Sequence, residues 1–286
     1  SSPNNSYCFY SSDGIAWTYS SNISHNPGAY PLRLVYVSGA RGNSQFYATS
    51  CGGTGYSFYT PNGGSSWTQN PVTDGSAWFG IANLTKRPSG TDIAGAQGNT
   101  VYYVSSAGSS QPTLYSISSL SGTNTSMVGL YGSSARSFYV DGGGRKCGYT
   151  DGSIASDGWT GVNAVFSNTA SCAATNDESL VVVVLHDGSA CAWVSTDSGR
   201  NYEAAAIPIW AQWTDVVFGG TTCVAIAENT NRCAVSTDGG ATWTLGTMPS
   251  SAVWTGITYG NGQFVAVASG GAAAAIVRLK GTVGEA

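Results

Sequence analysis

The sequence predicts an all-β fold, a β-propeller of six four-stranded blades, and three observations carry this prediction. A turn motif rich in Asp and Gly returns every 41 to 49 residues, a spacing typical of one blade. Short runs of β-branched and aromatic residues lie between the turns. Helical periodicity is absent throughout the sequence. Seven blades would need about 300 residues at this period, so seven is the minority interpretation for 286 residues.

The turn motif is clearest at residues 236–243, which read Ser-Thr-Asp-Gly-Gly-Ala-Thr-Trp. Its copies and weaker echoes start at residues 11, 60, 105, 150, 195 and 236. An Asp or Asn side chain accepts backbone hydrogen bonds in such a turn, Gly adopts the positive φ, and the final aromatic residue anchors the next strand. We therefore expect structural roles for Ser11, Asp13, Trp17, Asn62, Gly64, Trp67, Ser195, Asp197, Gly199, Tyr202, Ser236, Asp238, Gly240 and Trp243.

A second repeated element begins with Trp and precedes a β-rich run, as in 254–260 followed by 263–269. This pairing predicts a hairpin, so one unit is three strands, the Asp-Gly turn and a fourth strand. The predicted domain is a single propeller over 1–286, with repeats at 1–31 (partial), 32–76, 77–125, 126–158, 159–211, 212–252 and 253–286 (partial).

Closure of the ring is predicted from the two chain ends. The N-terminal strands and the C-terminal hairpin together build one composite blade, which removes exposed sheet edges. A further strand at 274–280 either supplies the third strand of a blade or leads elsewhere.

The motif Ser-x-Asp-x-Gly-x-Thr-Trp at 236–243 resembles the Asp-box, or bacterial neuraminidase repeat. The chain thus resembles a superfamily of β-propellers that includes sialidases, sortilin-type receptors, xyloglucanases, photosystem II assembly factors and phage tail proteins. The resemblance implies that the box is structural and lies on the face away from the binding surface. Residues 254–267 are similar to propeller repeats of phage tail and tail-fibre proteins, which implies a role in surface recognition.

Composition restricts the setting and the partners. Only 9% of residues are charged, against about 25% in ordinary domains, which favours an extracellular or virion-surface protein. The net charge is −4 with eleven scattered basic residues, which argues against nucleic acid. No apolar stretch reaches the length of a membrane helix, so membrane insertion is not expected.

Seven cysteines cannot all pair. Cys223 with Cys233, and Cys172 with Cys191, are candidate disulfides, and the favoured alternative is buried thiols.

Catalytic signals are weak, and no catalytic residue is assigned. A sialidase would need an arginine triad, for which Arg33, Arg136 and Arg232 are the only suggestion. Other glycoside hydrolases need two opposed carboxyl groups. The candidates in loops are Asp141, Asp177, Glu178, Asp187 and Glu228. Two histidines without metal-ligand spacing predict no zinc site and no cofactor. A weak calcium site among loop oxygens stays open.

The loops between blades and those joining second to third strands should form one exposed face. Sugars stack on Trp and Tyr and bond to polar side chains, so candidate ligand residues on this face are Trp210, Tyr30, His25, Asp141, Arg145, His186, Asp187, Glu228 and Arg232. The first-strand residues Trp78, Trp159, Trp213 and Trp254 either ring this face or, as we favour, pack between blades.

These residues predict a non-catalytic module that binds a glycan or a cell-surface receptor, with other virion or surface proteins as additional candidate partners. A scaffold propeller with a protein partner is the alternative, and a sialidase-like glycoside hydrolase is the second alternative. Fold alone does not separate them.

Overall fold

The computed structural model describes residues 8–10, 16, 18–20, 32–37, 45–50, 56–60, 62–71, 80–83, 93–97, 100–104, 113–116, 137–140, 146–150, 159–163, 170–175, 179–260, 262–269 and 276–280. Every regular element in these ranges is a β-strand, which confirms the all-β prediction. Across the same ranges, we find no helix with the length and apolar character needed to span a membrane. The chain divides into two compact units, Ser1–Ser137 with Thr150–Trp159 and Phe138–Tyr149 with Thr160–Ala286.

Among its described residues, the first unit contains three antiparallel sheets. A two-stranded sheet is formed by β1 (Cys8–Tyr10) and β2 (Thr18–Ser20). A four-stranded meander follows, made of β3 (Leu32–Val37), β4 (Gln45–Ser50), β5 (Tyr56–Thr60) and β6 (Thr68–Pro71). A second meander is made of β7 (Gly80–Asn83), β8 (Ile93–Gln97), β9 (Thr100–Val104) and β10 (Thr113–Ser116). Each meander has the strand order predicted for one repeat.

The next strands form a three-stranded and a four-stranded sheet. The first is made of β11 (Ser137–Val140), β12 (Lys146–Thr150) and β13 (Trp159–Asn163). The second is made of β14 (Ala170–Thr175), β15 (Val181–Leu185), β16 (Cys191–Ser195) and β17 (Glu203–Ala206). Trp159 was expected to begin the repeat 159–211, but β13 lies in the preceding sheet. Its place as first strand is taken by β14, which pairs with β15.

The last six strands are continuous because β21 serves two sheets. They are β18 (Trp213–Gly219), β19 (Thr222–Ala227), β20 (Thr230–Ser236), β21 (Thr244–Gly260), β22 (Gln263–Ser269) and β23 (Ile276–Lys280). The first part of β21 pairs with β20 and the second part with β22. β23 pairs with β22, so the described residues 276–280 of the predicted 274–280 strand supply a third strand. The composite blade and the single domain involve both units, and they stay predictions.

Two apolar clusters lie between successive sheets of the second unit. Trp213 is fully buried among side chains of the β14–β17 and β18–β21 sheets. Trp254 is fully buried in the next cluster, among side chains of β18–β22. Each indole donates a hydrogen bond to a carbonyl 24 residues earlier, Trp213 to Ser189 at 3.1 Å and Trp254 to Thr230 at 3.2 Å. These two tryptophans therefore pack between blades, as favoured above, and do not ring the exposed face.

The cysteine side chains form neither candidate disulfide, since Cys191, Cys223 and Cys233 are free thiols. Cys223 belongs to the cluster around Trp213, whereas Cys233 belongs to the cluster around Trp254. The two thiols thus lie on opposite faces of one sheet. Cys191 on β16 and Cys172 on β14 are separated by β15, or about 10 Å, which exceeds the roughly 4–7 Å that a disulfide spans.

Candidate functional site

The Asp-Gly turns join the third and fourth strands of a sheet through one repeated hydrogen-bond network. Ser236 Oγ donates to Asp238 Oδ1 at 2.8 Å and accepts from Gly240 N at 2.7 Å. The Asp238 carboxylate accepts from Thr242 N at 2.9 Å and from Thr242 Oγ1 at 2.6 Å. The corresponding contacts recur at 195–201 and 60–66.

In two of the turns, the glycine is required both by backbone conformation and by a close neighbour. Gly240 has φ of +97°, and a Cβ there would lie 2.6 Å from Val182 Cγ2 of the preceding sheet. Gly64 has φ of +100°, and its Cβ would lie 2.8 Å from Tyr10 Cβ. Trp243 is buried and donates through Nε1 to Gly240 O at 2.8 Å. The turns therefore brace one sheet against another.

The turn carboxylates are stabilised in their ionised form. Hydrogen bonds from the hydroxyl and the backbone N–H of Thr242 lower the pKa of Asp238 to about 2. Burial by itself would raise the pKa of Asp197, but donors from Asn201, Ser195 and Arg200 outweigh it and lower that pKa.

Ser11, Asp13 and Trp17 of the first predicted turn lie outside the described residues. Gly199 has φ of +81°, while the aromatic positions Trp67 and Tyr202 are both partly buried.

The opposite end of the sheets in the second unit carries the candidate binding loops. We call residues 186–190, 207–212 and 228–230 the seam loops, because they cover one end of the cluster around Trp213. Antiparallel pairing places the loop joining strands two and three at the same sheet end as the loop that leaves strand four. The Asp-Gly turns lie at the other end.

Three contacts hold the seam loops together. The His186 Nε2 atom lies 3.2 Å from Glu228 Oε1. Glu228 N donates to Gln212 O at 3.1 Å, and Ile207 N donates to Ala190 O at 3.0 Å. These bonds join side chains and backbone from three separate loops into one surface.

Trp210 is presented outward by its neighbours. Its residue surface is 80% exposed, whereas Ile207 is only 2% exposed. Ile209 and Ala211 pack against the cluster around Trp213, so alternate side chains point inward and Trp210 points to solvent. In the next repeat Met248 is buried in the place of Ile207, and the exposed Ser251 takes the place of Trp210. The fold therefore does not require an aromatic residue at position 210.

The structure brings together four of the nine predicted ligand residues, His186, Asp187, Glu228 and Trp210, in the seam loops. Asp187 Oδ1 accepts from Ser189 N at 2.9 Å, and Gly188 has φ of +79°, so Asp187 also closes its own turn. Arg232 follows the seam loops on β20 and is exposed. His25, Tyr30, Asp141 and Arg145 lie outside the described residues. Within the described part of the chain, no cluster of three or more His, Cys, Asp or Glu side chains is arranged to hold a metal.

Sequence reasoning missed Ala190 and Gln212, whose carbonyls join the loops. A backbone carbonyl leaves no signal in residue type, so only the pairing of the strands reveals these contacts. Ile209 and Ala211 were also missed as supports of Trp210, although the alternation in Ile207–Gln212 was a usable signal.

No protein-family model and no curated protein matches this chain. Among solved structures, it is similar to virginiamycin B lyase from Staphylococcus aureus, with 14% identity, a TM-score of 0.68, and coverage of 88% of this chain and 80% of that chain. It is also similar to YCF48 bound to D1 peptide, with 13% identity, a TM-score of 0.61, and coverage of 92% of this chain and 85% of that chain. A third similar structure is the Pan2 WD40 domain of Neurospora crassa, with 9% identity, a TM-score of 0.56, and coverage of 77% of this chain and 68% of that chain. These likenesses confirm that the fold is a β-propeller.

Proposed function

We propose that this chain is a non-catalytic binding module that recognises a glycan on a cell surface through its seam loops. The observation that carries the proposal is the outward presentation of Trp210, which is 80% exposed on a loop fixed by buried neighbours. A single exposed apolar side chain is ordinary. Trp210 differs because buried neighbours fix its backbone segment and because it belongs to the same seam loops as His186 and Glu228.

The chemistry of the seam loops suits a sugar. The C–H face of a pyranose ring packs on an indole, and its hydroxyls bond to carboxylates and imidazoles. Glu228 and His186 supply such groups and are both partly exposed, at 23% and 39%. A loop whose backbone is already fixed by buried neighbours loses less conformational entropy on binding than a free loop does.

The setting that we propose is the exterior of a virion or a secreted protein. The low charge, 9% of residues, and the similarity of the Trp254 repeat to phage tail repeats support this placement. The partners would then be surface glycans or receptors, together with neighbouring virion or surface proteins.

A scaffold that binds a protein partner is the second candidate. The structure of YCF48 with D1 peptide gives a propeller of similar fold that holds a peptide. The hydrolase alternative has less support, because Glu228 is paired with His186 and Asp187 is engaged in its own turn.

A glycan array probed with the intact chain tests the proposal. We expect saturable binding to one sugar class, and a loss of at least tenfold in affinity for Trp210→Ser, which installs the residue of the next repeat. Leu245→Ala is the matched control, since Leu245 is an exposed apolar residue on β21. Unchanged glycan binding by Trp210→Ser would overturn the glycan assignment. Absence of binding to every glycan on the array, together with binding of a defined peptide, would also overturn it.

A further inference from the structure

We infer that the seam loops select uncharged sugars with adjacent ring hydroxyls and discriminate against acidic sugars such as sialic acid. This inference rests on the proposed function and deepens it, since it names the ligand class of the same surface. Its basis is the combination of one aromatic platform, Trp210, with one oriented carboxylate, Glu228.

The backbone segments that carry Trp210 and Glu228 are close enough for one sugar ring to reach both side chains. Glu228 N is bonded to Gln212 O at 3.1 Å, and Gln212 is two residues from Trp210. Two residues span at most about 7 Å of chain. This spacing of the two backbones allows a pyranose stacked on Trp210 to present the hydroxyls of one edge toward Glu228.

His186 orients the carboxylate. Its Nε2 atom lies 3.2 Å from Glu228 Oε1, so the imidazole contacts one of the two carboxylate oxygens. Within the described residues, His186 is the one partner of this carboxylate. Two neighbouring hydroxyls can donate to such a group, and bonds to a charged acceptor are stronger than those between neutral groups. His186 thus acts as a positioning residue.

The charges around the platform disfavour an anion. The seam loops contain two carboxylates, Asp187 and Glu228, and the cation nearest along the chain is Arg232. The Nε2 atom of His186 is engaged with Glu228, at 3.2 Å from Oε1. A carboxylate on a sugar would meet like charge at short range, which opposes binding.

The experiment compares matched ligands on the intact protein. An immobilised neutral glycan and the same glycan capped with sialic acid are titrated, followed by competition with a neutral methyl glycoside and its deoxy analogue lacking one of two adjacent hydroxyls. We expect at least tenfold preference for the uncapped glycan and at least tenfold weaker competition by the deoxy analogue. Glu228→Gln should reduce that preference, because it removes the repelling charge and the strong acceptor together. His186→Ala should weaken neutral binding less than Glu228→Gln does.

The outcomes separate the two proposals. Tight binding of the sialylated glycan that is lost in Trp210→Ser would leave the proposed function intact and overturn the inference. An unchanged preference in Glu228→Gln would also overturn it. Absence of binding to every glycan would overturn both. Thermal unfolding of each variant and of Leu245→Ala distinguishes a lost contact from a lost fold.

Discussion

Asp215 accepts a hydrogen bond through Oδ2 from the backbone N–H of Ile257, at 2.8 Å and 42 residues away in sequence. The bond joins the first strand of one blade, β18, to the first strand of the next. Asp215 Oδ1 also accepts from Val216 N at 2.8 Å. Thr214 Oγ1 donates to Trp254 O at 2.7 Å. Side chains at the starts of these strands therefore connect sheets that are otherwise packed through apolar clusters.

We expect Asp215→Ala to lower the free energy of unfolding by about 1–3 kcal/mol, because it leaves a partly buried N–H without its charged acceptor. Asp215→Asn keeps an acceptor and should lose less. Urea unfolding followed by tryptophan fluorescence measures the difference. Glu203→Ala on the exposed face of β17 is the control. An unfolding midpoint for Asp215→Ala equal to that of the control would show that the bond between blades contributes nothing.

The Asp-Gly turns should make stability depend on pH in strong acid. Hydrogen bonds lower the pKa of Asp238 to about 2, below the value of about 4 for an unfolded Asp. The unfolded chain therefore binds this proton first as the pH falls. The stabilisation is fully present above about pH 4 and is lost as the pH falls through about 2. Asp197 contributes in the same direction.

Asp238→Asn should keep the turn and flatten this dependence. Asn62 already occupies the same position in another turn, where Oδ1 accepts from Ser66 N at 3.0 Å and Nδ2 donates to Ser66 Oγ at 2.8 Å. Denaturant midpoints between pH 2 and 5 measure the slope, with Glu203→Gln as control. If Asp238→Asn and the parent chain lose stability with equal steepness, the turn carboxylate is not the titrating group.

Gly240 should tolerate a methyl group much less well than Gly220. Both have positive φ, +97° and +65°, but only at Gly240 would the added Cβ meet Val182, at 2.6 Å. Around Gly220 the space is open to 4 Å. Gly220→Ala should cost about 1 kcal/mol through backbone strain alone. Gly240→Ala adds overpacking, typically 1–3 kcal/mol. Equal thermal shifts in the two variants would mean that the contact between sheets relaxes freely.

The sequence predicted local features well and pairings distant in sequence poorly. The network of Ser236, Asp238 and Gly240 lies within eight residues, so residue types alone indicate it. Trp210 was identifiable because it breaks the repeat. The contact of Asp215 with Ile257 depends on how two sheets pack, and no local pattern contains that information.

The register of β19 against β20 explains why the candidate disulfide between Cys223 and Cys233 does not form. Cys223 pairs with Ser236, and Cys233 pairs with Ile226, so the two thiols are offset by three positions along the ladder. An odd offset places side chains on opposite faces of the sheet. Spacing in the sequence does not reveal this parity. The prediction that Trp159 begins a repeat was wrong for a related reason. A Trp-Thr-Gly run indicates that a strand begins, but it does not specify which sheet that strand joins.

Ser189 and Thr230 provide a last test, because they hold equivalent places in successive repeats. The backbone carbonyl of each accepts a hydrogen bond from the indole N–H of a tryptophan 24 residues later. Thr230 Oγ1 accepts from Arg232 N at 3.1 Å, whereas Ser189 Oγ is buried without a partner among the described residues. Removing an unpaired buried hydroxyl is nearly neutral or stabilising, while removing a paired one costs about 1 kcal/mol.

We therefore expect Ser189→Ala to leave the free energy of unfolding unchanged or raise it, and Thr230→Val to lower it by about 1 kcal/mol. Denaturant unfolding of both variants in parallel measures the contrast. The backbone bonds to Trp213 and Trp254 remain in each variant, so the hydroxyls alone are compared. If Ser189→Ala proves as destabilising as Thr230→Val, the Ser189 hydroxyl is bonded in solution and the two repeats are equivalent at this position as well.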